Sequence, residues 1–256
     1  MVVHRRLRSM SDTMKVLKQS LTSKIVARLE LGETPQTKAE ALVRLRQLLE
    51  GEKALKVPPG DDFLVMFLRA RKYRVEDAFK VIKNYFRARR DTPEFFDGLV
   101  PDRVPFRTVC HDHKLLLISP EPGEHGRSMG VFNVGAWNPD VCSLVDFVRA
   151  LLLLTGSWLL EDQPTICGVE FVMDMKGLNI DHLKHMTPLF LMKVAHITQV
   201  HFIGQASAKL WDPFPRDLVP SEHGGRRDHF DYDRQEQFVR RRSAFFESLC
   251  GFGYTK

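Results

Sequence analysis

The sequence predicts an α/β protein in which an all-helical N-terminal domain precedes a domain built on a mixed or parallel sheet. Three observations support this fold class. Apolar residues recur at helical spacing over the first hundred residues, short β-type runs begin near residue 114, and strand and helix patterns then alternate. With 256 residues, 43% of them hydrophobic and 27% charged, the chain can bury a core, which excludes a wholly disordered protein.

Periodicity and helix-breaking residues indicate the N-terminal helices. A helical pattern covers residues 10–50 and is interrupted near Pro35. Asp61 and Asp62 are candidates for the N-cap of the next helix, whose apolar stripe ends in a basic run. A further helix is predicted over residues 75–90.

The second domain begins with turn-separated strands and continues as alternating helices and strands. This order is typical of a sheet with parallel neighbours joined by crossover helices. The predicted elements, in chain order, are strands over 114–118 and 130–134, an apolar helix over 142–160, a strand over 167–174, a helix over 181–199 and a strand over 200–204.

The positive charge is concentrated in the N-terminal domain. The chain has a net charge of +6, yet residues 69–90 hold nine Lys and Arg against two acidic residues. Such a run is either a solvated face of two helices or a surface that binds anions. Nucleic-acid binding is disfavoured because Tyr73, Phe79 and Phe86 fall at core spacing instead of being interleaved with the cations.

Cysteine usage and apolar stretches point to the cytoplasm. The four cysteines are widely spaced and form no CxxC pair, which favours a reducing compartment. The basic N-terminus lacks the apolar region of a signal peptide. The longest uncharged apolar stretch, residues 150–160, is well short of the ~20 residues that a membrane-spanning helix needs.

No catalytic, cofactor-binding or metal-binding signature is found. The sequence lacks GxSxG, P-loop and GxGxxG motifs, and the TGSW segment at residues 155–158 is predicted to lie inside a helix. The pairs His111/His113 and His182/His185 have spacings that a metal could use, but no third ligand stands near either pair. Surface or capping roles are therefore favoured for these histidines.

Two alternatives stay open at this stage. Asp174, at the end of a predicted strand, is either a catalytic acid of an α/β hydrolase or a residue that stabilises the turn before Gly177. The apolar helices of the second domain make either an ordinary core or a pocket for a large apolar ligand, and composition alone does not separate these.

Several motifs, taken together, resemble the CRAL-TRIO (Sec14-like) family, especially its α-tocopherol-transfer-protein branch. They occur in the family's order across roughly residues 37–246. The matching segments are DDFLVMFLRARKY followed by KVIKNYFRARRDTPEFF, then VDFVRALLLL, GVEFVMDMKGLNIDHLKHMTP and LVPSEHGG.

The resemblance implies a non-enzymatic cytoplasmic carrier without a cofactor. It would enclose a hydrophobic lipid, similar to a tocopherol or retinoid, and exchange it transiently at endosomal or other intracellular membranes with help from phosphoinositides. A monomer is expected. Arg71 falls on a position that contacts the phosphoinositide head group. The positions that would line the lipid cavity are Val148, Leu152 and Thr155 on the apolar helix, Val169, Phe171 and Met173 on the strand, and Met186, Phe190, Val194 and Ile197 on the following helix.

One departure from the family is predicted after Gln199. A strand and an amphipathic gate helix of the family have no counterpart there. The predicted helix ending at Gln199 directly abuts the predicted strand starting at Val200, without the usual connection of 2–6 residues. An internal deletion would expose Leu151 and Phe190, and residues 200–204 would move beside the strand at 167–174. The resulting pocket would be open, and lipid retention impaired.

The expected domain organisation follows from these motifs. Residues 1–35 form a basic helical extension, residues 36–100 the helical domain, residues 101–250 a shortened lipid-binding domain and residues 251–256 a tail. Two other functions remain as alternatives: an α/β hydrolase, and a phosphoinositide-binding regulatory module that does not transport lipid.

Overall fold

The computed structural model describes residues 10–119, 127–201 and 230–255, together with Ser221 and Arg226. The elements in these ranges are α1 (Met10–Leu31), α2 (Pro35–Gly51), β1 (Leu55–Lys56), α3 (Asp61–Ala70), α4 (Val75–Asp91), α5 (Pro93–Phe96), β2 (Leu116–Ile118), β3 (Ser128–Asn133), α6 (Leu144–Leu159), α7 (Asp162–Cys167), β4 (Val169–Asp174), α8 (Ile180–His185), α9 (Pro188–His201), α10 (Tyr232–Arg240), α11 (Ser243–Leu249) and β5 (Gly253–Tyr254).

The helical N-terminal part begins and ends its helices largely where the sequence predicts. Thr34 caps α2, because its Oγ1 accepts a hydrogen bond from the Thr37 amide at 3.0 Å, and Pro35 occupies the first turn. The predicted cap of α3 is wrong. Gly60 holds the N-cap position without a side-chain bond, while Asp61 lies in the first turn and pairs with Arg46.

An aromatic cluster forms the core between α3 and α4. The rings of Phe63 and Phe67 lie 5.2 Å apart, and the Phe67 ring lies 5.7 Å from Tyr85. Phe86 completes the cluster 5.0 Å from Tyr85. Phe63 and Phe67 are four residues apart and share one face of α3, whereas Tyr85 and Phe86 are neighbours on α4.

The second part contains a mixed three-stranded sheet, as the sequence predicts. Its order is β2-β3-β4, with β2 antiparallel to β3 and β3 parallel to β4. Helices α6 and α7 form the crossover between the parallel strands. The sequence analysis missed α7, which contains Pro164 in its first turn, where proline is tolerated.

Helix α6 lies at the centre of the molecule. A capping box starts it: the Asp146 amide donates to Ser143 Oγ at 3.0 Å, and the Ser143 amide donates to Asp146 Oδ2 at 3.3 Å. Leu153 and Leu154 are fully buried, and the helix contacts α5, α7, α9, α10 and β2. It is therefore covered by both parts of the protein.

The segment after β4 differs from its prediction in two ways. The single helix expected over 181–199 is divided into α8 and α9, because Pro188 disfavours helical backbone at the residue before it. Helix α9 then continues through Val200 to His201, so the strand predicted to start at Val200 is wrong there. Residues 202–204 lie outside the described part of the chain.

This continuation also corrects the argument for an abrupt junction. The backbone from Gln199 to Val200 is helical, and the end of the helix falls beyond the position from which the missing connection was inferred. The predicted move of residues 200–204 beside β4 does not occur for Val200 and His201. A short apolar run fits a helix or a strand equally well, which is why periodicity misassigned it.

The C-terminal segment returns to the helical part. In the region predicted as a tail, β5 pairs antiparallel with β1, placing Leu55 opposite Tyr254. Strand β5 also packs on α4.

Arg69 joins three separate elements in a buried cluster. Its Nε and Nη2 donate to the two Glu33 carboxylate oxygens at 2.8 and 2.9 Å. Its Nη1 donates to Asp162 Oδ1 at 2.6 Å and to Thr165 Oγ1 at 3.0 Å. Burial disfavours ionisation of Glu33, but the hydrogen bonds and charge of Arg69 outweigh it and keep the pKa of this carboxyl below its usual value.

We expect Arg69→Met to lower the free energy of unfolding by about 3 kcal/mol, because it leaves the Glu33 carboxylate partly buried and unpaired. Asp162 is exposed and contributes less. Urea denaturation measures the change, and Arg46→Met, which removes an exposed pair with Asp61, is the matched control. A loss below 1 kcal/mol for Arg69→Met, no larger than the loss for Arg46→Met, would contradict a structural role for the cluster.

Candidate functional site

The loops after β3 and β4 cross at the carboxyl end of the sheet. A Cβ atom at Gly135 would overlap the carbonyl oxygen of Lys176, and one at Gly177 would lie 2.9 Å from the Gly135 carbonyl oxygen. Gly177 also has a φ of +95°, which side-chain-bearing residues rarely adopt. Glycine at these two positions allows the two loops to contact each other at the edge of the sheet from which α8 starts.

The predicted lining residues of β4 share one face of the strand. The Phe171 ring lies 4.7 Å from the Phe132 ring and 5.9 Å from the Trp158 ring of α6. Val169 is half-buried on the same face, whereas Met173 is 59% exposed. The strand thus runs from the interior toward the surface at its carboxyl end.

The predicted lining residues of α6 are packed in the core. Val148, Leu152 and Thr155 are all buried, and the Thr155 hydroxyl donates to the Leu151 carbonyl oxygen at 2.8 Å. Leu152 also borders a cavity of about 30 Å³ between α6 and α3, α4 and α11, with Phe63 on its far side. That volume suits about one water molecule, far below the roughly 300–1,000 Å³ of a ligand pocket.

The predicted lining residues of α9 face the helical part of the protein. Ile197 is buried, while Phe190 and Val194 are half-buried. The Phe190 ring lies 6.0 Å from the Phe95 ring of α5. Met186, in the break before α9, is half-buried. The structure therefore brings Phe171 to α6 and Phe190 to α5, and it does not show the ten residues lining one enclosed cavity.

Large exposed apolar side chains concentrate between β4 and α9. We call residues 173–192 the apolar segment. Its exposed members are Met173, Met175, Ile180, Leu183, Leu189, Leu191 and Met192, the last being 63% exposed. The predicted exposure of Leu151 is wrong, since that residue is buried, and Phe190 is half-buried.

Of these exposed residues, the sequence analysis predicted only Met173 as a lipid contact. The signal was present in α9, where residues 189–192 are consecutively apolar, so the helix has apolar side chains on more than one side. Such a helix is normally covered all round. Here the inner side packs on α4, and Leu189, Leu191 and Met192 remain exposed.

The groups considered for hydrolysis have structural partners. Asp174 Oδ1 accepts the Lys176 amide at 2.9 Å, which stabilises the turn before Gly177. His182 Nε2 lies 2.7 Å from the Trp137 carbonyl oxygen, and its Nδ1 accepts the Asn179 amide at 3.1 Å, so His182 completes the cap of α8. Within the described ranges, no group of three or more His, Cys, Asp or Glu residues is arranged to hold a metal ion.

The other histidine and serine candidates also have structural partners. His111 Nδ1 lies 3.2 Å from its neighbour Asp112. Residues 155–158 lie within α6, where Ser157 Oγ donates to the Leu153 carbonyl oxygen at 2.8 Å. No strand-to-helix elbow presents this serine.

The predicted basic surface contains fewer available cations than the nine counted in the sequence. Arg69 is buried and paired, so it does not belong to a surface. Arg71 and Lys72 lie in the turn between α3 and α4, where Lys72 is exposed and Arg71 half-buried. Neither has a carboxylate partner among the described residues. The other cations of this region that pair with acidic residues are Arg74, Lys80, Lys83 and Arg90.

Comparison with known proteins identifies the second part of the chain. The CRAL/TRIO domain matches residues 112–225. The α-tocopherol transfer protein-like proteins of Homo sapiens and Mus musculus are each 28% identical over 186 residues, which cover 72% of this chain and 54% and 53% of theirs. Clavesin-2 of Homo sapiens is 25% identical over 195 residues, covering 70% of this chain and 58% of its own.

These comparisons confirm the resemblance read from the sequence motifs. The chain spans about half the length of the curated relatives it matches. In the described part of the chain, no helix has the length and apolar character needed to cross a membrane.

We expect Gly135→Ala to reduce the free energy of unfolding by about 1–3 kcal/mol, because the new methyl group must push apart the two crossing loops. Gly51→Ala is the control, since nothing lies within 4 Å of its Cβ position. Urea midpoints of the two variants are compared with wild type. Equal midpoints for Gly135→Ala and wild type would show that the loops do not constrain each other.

Proposed function

The chain carries a CRAL/TRIO domain at residues 112–225, and on this premise we propose that it binds a hydrophobic lipid without chemical turnover and transfers it between membranes. The observation that carries the proposal is the apolar segment. Its exposed side chains begin on β4, the outermost described strand of the sheet, and continue along the chain through α8 and α9, where an apolar ligand would cover them. A lipid similar to a tocopherol or retinoid is the ligand class that we favour.

The position of the apolar segment supports this function. Among the described residues, β4 pairs with β3 on one side and with no strand on the other. Large exposed apolar surfaces on a protein mark sites that contact a ligand, a partner or a membrane. Phe171 leads from this edge to the interior at Trp158, so an apolar chain entering beside Met173 would meet aromatic rings.

We further propose that the site is open and releases lipid readily. The family resemblance implies a strand and a gate helix, for which the sequence motifs offer no counterpart after Gln199. The ten predicted lining residues remain the proposed contacts, and among them Val169, Phe171 and Met173 lie on β4 itself.

Arg71 is the proposed phosphoinositide contact. With Lys72 it presents two cations that no described carboxylate neutralises. Anionic head groups would supply the missing partners. We therefore propose a cytoplasmic monomer that visits endosomal or other intracellular membranes. A phosphoinositide-binding module without lipid transport is the second candidate, favoured by the close packing of Val148, Leu152 and Thr155.

Organic-solvent extraction of the purified protein followed by mass spectrometry tests lipid carriage. We expect a hydrophobic lipid in wild type, at less than one molecule per chain because the proposed site is open. The double variant Met173→Gln/Met192→Gln should retain about fivefold less, because two exposed apolar contacts are replaced by polar ones. Val43→Gln, at an exposed apolar position of α2, controls for a general loss of apolar surface.

Two results of this experiment would reject the carrier function. One is the absence of lipid from wild type, which would favour the regulatory module. The other is turnover of ester substrates that Asp174→Asn abolishes, which would establish a hydrolase.

The double variant Arg71→Ala/Lys72→Ala should bind phosphoinositide-containing vesicles more weakly, by about 1 kcal/mol per charge near an anionic surface. Raised salt should weaken the wild-type protein in the same way. Vesicle sedimentation measures both effects. The control Lys53→Ala/Lys56→Ala removes the same charge from two exposed positions, one in the turn before β1 and one in β1. Identical binding by all three proteins would remove Arg71 from the mechanism.

A further inference from the structure

Helix α1 presents apolar side chains to solvent at helical spacing. Leu21, Ile25 and Leu29 are 62%, 57% and 78% exposed and follow one another every four residues. Residues with this spacing lie on the same side of a helix. We call these three residues the outer stripe. Apolar surface repeated along one side of a helix calls for a partner.

The opposite side of α1 is fixed to the rest of the protein. Ser23 and Ala27 are buried, and α1 packs on α7. The Ser23 hydroxyl donates to Gln163 Oε1 of α7 at 2.8 Å. Since this contact sets the rotation of the helix, the outer stripe is turned away from the protein body.

The charges around the outer stripe are positive. Lys24 and Arg28 are exposed beside it and make no ion pair with any described residue. Helical spacing places Glu30 on the other side of α1, away from Leu21. An apolar stripe bordered by cations is the arrangement of helices that lie in the head-group region of a bilayer.

The C-terminal end of α1 lies near the turn that carries Arg71 and Lys72. Glu33 is two residues beyond α1, and its carboxylate is 2.8 Å from Arg69 Nε at the end of α3. Arg71 and Lys72 come immediately after α3. The cations of α1 and of this turn are thereby placed on neighbouring elements.

We propose that α1 is an interfacial helix, whose outer stripe inserts into an anionic lipid bilayer with Lys24 and Arg28 on the head groups. A bilayer fits better than a second copy of the chain, because pairing two identical stripes would bring the same cations together. The inference deepens the proposed function by assigning a membrane-contacting surface. It does not depend on which lipid the domain carries.

The test uses the full chain and vesicles of phosphatidylcholine with or without phosphatidylserine. The triple variant Leu21→Gln/Ile25→Gln/Leu29→Gln should bind phosphatidylserine vesicles about tenfold more weakly, because the inserting side chains are gone. Its urea midpoint should match wild type, since the three positions are exposed. In a separate variant, Ile25→Trp, tryptophan emission should shift to the blue on these vesicles and be quenched by brominated lipid.

Charge reversal tests the electrostatic half of the proposal. Lys24→Glu/Arg28→Glu should weaken binding by about fivefold for each cation removed, only when phosphatidylserine is present. Lys53→Glu/Lys56→Glu makes the same change in net charge at two exposed positions, one in the turn before β1 and one in β1, and should bind as wild type.

Three outcomes would overturn the proposal. One is binding of the triple variant to vesicles as tight as that of wild type, and another is the absence of a spectral shift for Ile25→Trp. Alternatively, the triple variant could dissociate a dimer in sedimentation analysis with vesicle binding unchanged, which would make a second copy the occupant. Lipid extraction from the triple variant in solution keeps the two proposals separate, since lipid carriage should be unaffected.

Discussion

Helix α6 is buried almost continuously from Val148 to Trp158, and the rest of the structure is arranged to cover it. The sheet contributes β2, together with the Phe171 ring that contacts Trp158. The helical part contributes α5, and Phe246 of α11 packs on Gly156, where a Cβ atom would meet its ring at 3.1 Å. A helix of this kind is stable only when buried. The N-terminal helices and the CRAL/TRIO domain therefore share one core, and the Arg69 cluster fixes the same arrangement at its edge.

Covering α6 leaves the other apolar surfaces facing outward. Helix α9 packs its inner side on α4, with the Lys193–Glu94 ion pair beside the contact, and this leaves Leu189 and Met192 exposed. The outer stripe of α1 is exposed for a parallel reason, because Ser23 and Ala27 take the inner side. Both surfaces suit contact with lipid. The apolar segment, which follows β4, is proposed to bind the carried lipid. The outer stripe is proposed to meet the membrane together with the turn that carries Arg71 and Lys72.

Local chemistry predicted much of the fold from the sequence. Periodicity and the break near Pro35 located the first helices, and alternation of strand and helix patterns located the mixed sheet. Three features needed tertiary information. Counting charges could not show that Arg69 is buried, a short apolar run at Val200 fitted helix and strand equally, and apolar residues such as Leu152 serve core and pocket alike. The exposure of the candidate site residues therefore could not be predicted from residue type or from family resemblance.

Transfer of a fluorescent apolar lipid from donor to acceptor vesicles tests the central claim most directly. A carrier extracts the lipid, crosses the water and delivers it, so the initial rate should rise in proportion to protein concentration and exceed spontaneous transfer. The rate should also increase when anionic lipid is added to the acceptor vesicles, because Arg71 and Lys72 have no carboxylate partner among the described residues. Transfer at the spontaneous rate at every protein concentration, with vesicle binding intact, would contradict the account and leave a membrane-binding module without carrier function.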